Sequence, residues 1–149
     1  MIVDSGITVP VGKIDTVSQK LIDVTREALA LGIKQAKPGN HIGDISHAVQ
    51  TFVESRGFSI VEVLCGHGVG HKVHEEPQIP NFGKAGTGPE IKVGNVFAIE
   101  PIVNVGGKEV YFDDDGDGYS VYTVDGSRAA HFEHTVAVTP SGPEIMTKE

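Results

Sequence analysis

The sequence predicts an α+β chain, and three observations carry that expectation. Amphipathic helical patterns fill residues 15–57, while strand-like runs broken by glycine and proline fill most of the chain from Phe58 onward. At 149 residues the chain is also one domain long, enough to bury about 68–70% of its unfolded surface. Residues 1–149 are therefore read as a single domain.

Composition narrows the function. Twelve basic residues against twenty acidic ones give a net charge of −8, so no specific nucleic-acid partner is expected. No run of eighteen apolar residues is present, which predicts no membrane span. Met1–Gly6 lacks the basic and apolar segments of a signal peptide, and the single cysteine, Cys65, closes no internal disulfide. Both features point to the cytoplasm.

In chain order, residues 4–13 read as a strand that Pro10 places at a sheet edge. Asp15 or Thr16 caps a helix whose stripe, Leu21, Val24, Thr25, Ala28, Leu31 and Gly32, runs to about Ala36 before Pro38-Gly39 ends it. A second helix begins near His41 to Gly43, aligns Ile45, Val49, Phe52 and Val53, and stops at Arg56-Gly57. His41 and His47 read as solvated. Phe58 to Leu64 is a strand, and residues 75–92, rich in proline and glycine, read as a long loop. Val93 to Val105 reads as one strand with Glu100 and Asn104 on the same face. Asp113–Gly118 resembles part of a calcium loop but lacks its closing glutamate and flanking helices; it is read as a solvated acidic turn. Residues 119–124 and 130–138 are the last strands, and Pro140–Pro143 turns the chain before Glu144–Met146.

The chemistry concentrates in Cys65–Pro77. His67, His71 and His74 stand at i, i+4 and i+7, the spacing of a helical three-histidine site. Gly66, Gly68 and Gly70 oppose that helix, each costing about 1 kcal/mol there, so an extended or looped path is expected. A glycine-rich turn with surface histidines is the plain alternative. Two residues downstream weigh against it: Glu100 in Phe97–Pro101 and Glu133 in His131–Thr135 are acids within apolar, strand-like runs, where an unpaired carboxylate is costly. A metal ion accounts for both. Asp4, His67, Glu100 and Glu133 together offer one imidazole and three carboxylates, a donor set for Mn²⁺, Fe²⁺, Co²⁺ or Zn²⁺ and for metal-assisted hydrolysis.

Three segments, CGHGVGHKVHEEPQIPNF, AIEPIVNVGG and HFEHTVAVTPSGPEIMT, resemble the C-terminal part of type I methionine aminopeptidases, dinuclear-metal enzymes with the pita-bread fold. The likeness runs from Asp4 to Thr147. It implies the second half of a pita-bread fold, with two helices packed on one face of a curved, mainly antiparallel sheet and the metal groups on the concave face. It also implies a metal-dependent hydrolase that removes N-terminal methionine from peptides and nascent proteins. By resemblance His67, Glu100 and Glu133 are metal ligands, Glu133 bridging, and Asp4 takes the place of the bridging aspartate, although Ser5-Gly6 departs from the usual Thr-Ser or Thr-Ala. His74 matches the second active-site histidine, which contacts substrate and helps proton transfer, with Glu100 or Glu133 as proton relay. Tyr119 and Cys65 match substrate-facing positions.

Only three residues precede Asp4 and none is a carboxylate, so the family's other metal aspartate has no counterpart. The expectation is one divalent ion per chain (Co, Mn, Fe or Zn) instead of two. The first half of the fold has no counterpart either, which predicts a homo-oligomer joined through an open sheet edge. The rival readings are a weak or inactive half-domain that binds peptides or proteins, and a proline-specific peptidase of the same fold.

Overall fold

In the computed structural model, which describes residues 2–113 and 116–148, the chain runs β1 (Ser5–Gly6), α1 (Thr16–Gln35), α2 (Ile42–Ser55), β2 (Ser59–Ile60), β3 (Cys65–Gly68), β4 (Glu75–Pro80), β5 (Val96–Ile99), β6 (Ile102–Asn104), β7 (Val110–Phe112), β8 (Val121–Thr123), β9 (Ala129–His131), β10 (Glu133–Thr139) and β11 (Gly142–Ile145). The helices follow their sequence signals. Asp15 caps α1, its carboxylate accepting from the Val17 and Ser18 N–H groups at 3.0 Å. At the start of α2 the His41 N–H donates to Asp44 Oδ2 at 2.7 Å, and Gly57, at φ +82°, ends that helix in the left-handed region.

The two helices pack on each other and share two apolar clusters with the sheets. Leu29, Ile33 and Ile45 meet Phe97, Ile99 and Val136, while Leu21, Ala28 and Val49 meet Phe58, Ile60 and Val103. One sheet has the order β1-β10-β5-β3-β4, with β11 also paired to β10; β2-β6-β9 forms a second and β7-β8 a hairpin. Every strand pairing among the described residues is antiparallel.

Register sorts the residues between the faces, because paired residues share a face and successive ones alternate. Phe97 opposite Val136 faces the helices. Ala98 lies opposite both His67 and Thr135, and Glu133 lies opposite Gly6, so His67, Thr135, Glu133 and Gly6 share the face turned away from the helices.

Several strand boundaries differ from the expected ones. The N-terminal strand is only Ser5–Gly6; beyond it the Thr8 side chain bonds to the His131 backbone instead of extending a ladder. The Phe58–Leu64 strand shrinks to β2. The expected loop at 75–92 begins as β4, whose Pro77 and Pro80 are accommodated because β4 is the edge strand of its sheet. The expected single strand at 93–105 is two, split at Glu100-Pro101, where proline cannot donate to a ladder. Glu100 and Asn104 therefore do not share one strand face. The run at 130–138 splits likewise at Phe132, into β9 and β10, and residues 142–145 form β11. The acidic turn lies between β7 and β8, without flanking helices, but residues 114–115 fall outside the described residues.

Candidate metal centre

The breaks that sequence periodicity did not register are what aim the acids. β5 ends at Ile99, and Glu100 follows at the crossing into the second sheet, its carbonyl oxygen accepting from the Asn81 side chain at 3.0 Å. Glu133 opens β10 opposite Gly6, just after the crossing back from β9. Asp4 approaches from the strand that borders β10: its N–H donates to Thr135 Oγ1 at 2.7 Å and its carbonyl accepts from the same hydroxyl at 2.8 Å. His67 comes from β3 on the other side of β5. Ligand atoms of Asp4, His67 and Glu133 lie within 4.8 Å of one another, and Glu100 Oε1 is 3.6 Å from His67 Nε2.

The histidine is oriented for such a role. His67 Nδ1 lies 2.9 Å from the Gly68 carbonyl oxygen, which can only accept, so the proton sits on Nδ1 and Nε2 presents its lone pair toward the acids. The close backbone approach of β3 depends on glycine. A Cβ at Gly66 would collide with the Ala98 carbonyl oxygen, and one at Gly68 with the Glu76 carbonyl oxygen.

Electrostatics agree with the geometry. Burial, with the charges of Glu133 and Asp4, pushes Glu100 up to about 8. Burial and Asp4 push Glu133 up to about 7. Carboxylates crowded out of water in this way are short of positive charge, and a divalent cation in an N/O donor set supplies it. The residues present fit one.

The remaining sequence-derived residues surround this cluster at different depths. The His74 ring packs edge-on to His67, 4.3 Å between centroids, but is exposed to solvent. Cys65 is half-buried, on the same strand face as His67 by the period-2 rule, and burial raises its thiol pKa, with the Glu100 charge adding to the shift. Tyr119, at 89% exposed, lies in the connection between β7 and β8. His71 is exposed in the bend after β3 and belongs to no ligand group.

One residue of the site had not been singled out in the sequence. His131 Nε2 lies 3.6 Å from Glu100 Oε2 and 4.0 Å from Glu133 Oε2. Burial lowers its pKa, against the opposing charge of Asp4. The sequence carried one hint, a histidine two positions before an acid in a strand-like run, although the chain crosses from β9 to β10 between them.

Asp4, His67 and Glu133, with Glu100 beside His67, form a group able to hold a divalent ion on an antiparallel sheet backed by two helices, and the comparisons give a metallopeptidase class. Residues 1–140 match metallopeptidase family M24, and the chain belongs to that family. It is 49% identical over 145 residues to methionine aminopeptidase 1 of Bacillus subtilis, a match covering 97% of this chain and 58% of that protein. The crystal structure of a methionine aminopeptidase from Thermotoga maritima superposes with a TM-score of 0.95 at 48% identity, covering 99% of this chain and 58% of that one. A prolidase from Pyrococcus furiosus, at 22% identity and a TM-score of 0.75, shares the fold alone. The fold is thus the pita-bread architecture, and the chain spans just under three-fifths of the curated relatives' length, corresponding to their C-terminal part.

Proposed function

We propose that this chain acts, as a single domain, in the metal-dependent removal of N-terminal methionine from peptides and nascent proteins. The observation that carries this reading is the convergence of Asp4, His67 and Glu133, with Glu100 beside them, on the sheet face turned away from the helices. Membership of family M24 and the methionine aminopeptidase relatives support it. Those four residues would hold one ion, Co, Mn, Fe or Zn, because the donor set mixes imidazole nitrogen with carboxylate oxygen. Bound there, the ion supplies Lewis-acid activation of a carbonyl and of water. Glu100 or Glu133 would take up a proton at its carboxylate and pass it to the leaving amine. His74 would donate a hydrogen bond to the oxygen of the scissile carbonyl, and Cys65 and Tyr119 would face the methionine side chain.

Release of methionine from a Met-Ala-Ser peptide, measured with and without Mn²⁺ or Co²⁺, tests the reading; metal-dependent release is expected. The rival reading is a weak or inactive half-domain that binds peptides or proteins. Peptide binding without turnover at any metal concentration would select it, and turnover of X-Pro peptides alone would select a proline-specific peptidase.

We also infer a homo-oligomer and a cytoplasmic setting, where nascent N-termini are met. β1 pairs only with β10, at one end of its sheet, and Val3, Ile7, Val9 and Val11 beside it are exposed. An open edge flanked by apolar side chains recruits a partner, and a second copy is the commonest one. A concentration-independent monomer in light scattering would count against this. The net charge of −8 supports the absence of a specific nucleic-acid partner.

A further inference from the structure

The two oxygens of Glu100 face different imidazoles. Oε1 is 3.6 Å from His67 Nε2, and Oε2 is 3.6 Å from His131 Nε2. If Oε1 is the oxygen that meets an ion alongside His67, Oε2 would be left without a partner among the described residues. A buried carboxylate oxygen left in that state is costly, and it is free to rotate onto the ion and change the coordination. Meanwhile His131 Nε2 is enclosed and has no hydrogen-bond partner among the described residues. Its neighbours there are two carboxyl groups, 3.6 and 4.0 Å away.

The His131 ring is also held in place. Its backbone N–H donates to Thr8 Oγ1 at 2.9 Å, and that hydroxyl donates to the His131 carbonyl at 2.8 Å, tying the residue to the segment after β1. The ring edge lies against Gly6, where a Cβ would come within 3.1 Å of Cε1 and 3.2 Å of Nδ1. Glycine at position 6 therefore makes room for the ring beside β1.

We propose that His131 is the positioning residue of this centre: when an ion is bound, a small shift closes the 3.6 Å separation so that Nε2–H donates to Glu100 Oε2 and leaves Oε1 for the ion alongside His67. The donor role follows from complementarity. Ion binding requires Glu100 deprotonated, and a carboxylate can only accept, so in the ion-bound state the imidazole hydrogen belongs on the nitrogen that faces it. The inference rests on the reading of Asp4, His67, Glu100 and Glu133 as the ligands.

The test uses the full chain and Co²⁺ alone as probe, with affinity by calorimetry and coordination by the visible absorption of the bound ion. His131→Leu keeps bulk but has no donor, whereas His131→Gln keeps an N–H within reach of Glu100. The leucine variant is expected to weaken Co²⁺ binding roughly 10- to 100-fold and to alter the spectrum, the usual scale for loss of a residue that orients a ligand. The glutamine variant is expected to restore both. In a Glu100→Ala background the leucine substitution should cause no further loss, because its effect passes through Glu100. Should the leucine variant fail to fold, His131→Asn, whose amide is one methylene too short, replaces it with the same expectation. Wild-type affinity and spectrum in the donor-less variant would overturn the proposal, as would equal losses with Leu and Gln, or an undiminished loss without Glu100. A wild-type chain that takes up no Co²⁺ would overturn the reading of the site and this inference together, which distinguishes the two failures.

Discussion

Two groups of carboxylates in this molecule have opposite fates. On the hairpin and the turn after it, Asp117 accepts from the Ser120 hydroxyl and from the Ser120 and Tyr119 N–H groups at 2.7–2.8 Å, and Asp125 is bonded by Ser127 and the Gly107 N–H. Those hydrogen bonds hold both acids down at about 2. In the centre, burial and neighbouring carboxylates raise Glu100 and Glu133 to about 8 and about 7. Asp117, in the denser acidic run, and Asp125 beyond it are thus already satisfied by the chain itself. The sparse set, Asp4, Glu100 and Glu133 from three segments far apart in sequence, is the one short of positive charge. A cation site is marked by unsatisfied, buried acids, not by acidic density.

The sharpest way to break that comparison is to remove ligands from one group and charges from the other. His67→Ala or Glu133→Gln is expected to reduce metal affinity on the order of 100-fold or more, since the ion loses a bond and not merely an orienting contact. His71→Ala, exposed and outside the cluster, should leave uptake unchanged. Elemental analysis after dialysis against Mn²⁺ or Co²⁺ decides it; equal loss in all three variants would sink the assignment.

A backbone change comes next in size. Gly66→Ala drives a methyl group into the Ala98 carbonyl oxygen, backbone against backbone, where no side chain can yield. The strain should cost about 3 kcal/mol of stability, at the upper end for overpacking, and shift β3 with its His67 away from β5. A denaturant midpoint equal to wild type would contradict the close approach of β3 and β5.

The third test concerns pH. Glu100 and Glu133 keep protons in the folded chain that the unfolded chain releases near 4.5, so metal-free stability falls as pH climbs from 4.5 toward about 8. The sign reverses for metal binding. The ion takes deprotonated carboxylates, so affinity rises and protons are released across the same window. Melting curves with a chelator and with Mn²⁺ should therefore diverge with rising pH, and Glu133→Gln should flatten the metal-free slope. Parallel curves would show that these carboxylates are not the ion's partners.

Much of this was legible in the sequence, and what was not has a physical cause. The helices were legible because Asp15, Gly57 and the apolar stripes act within one helix and its immediate caps. The glycines around His67 correctly excluded a helical three-histidine site, because their cost there is local. The site acids stood out as charged residues in apolar runs. The breaks at Glu100-Pro101 and Phe132 were missed because alternation continues through both in the sequence, while the chain passes from one sheet to another. β4 was missed because Pro77 and Pro80 read as loop; only its edge position, a tertiary fact, makes them tolerable. His131 escaped notice for a related reason: its importance lies in which way Glu100 turns at the break.

The smallest expected effect lies on the satisfied side of the comparison. Asp125→Asn should leave metal uptake unchanged, because that carboxylate lies outside the ligand cluster and its oxygens are already bonded by Ser127 and the Gly107 N–H. Its effect on stability should be modest, since the group is exposed and screened by solvent and salt. The sign is nevertheless definite. A lowered pKa means the folded chain keeps the charge longer than the unfolded one, so the stabilisation is fully present above 3.8 and is lost as pH falls through about 2. Wild type and variant should therefore differ above 3.8 and converge on acidification, a trend opposite in direction to that of Glu100 and Glu133 and confined to a lower window. Paired melts carried from neutral pH into acid would reveal it. A variant that lost metal, or whose difference from wild type grew toward low pH, would erase the distinction between the two groups of acids.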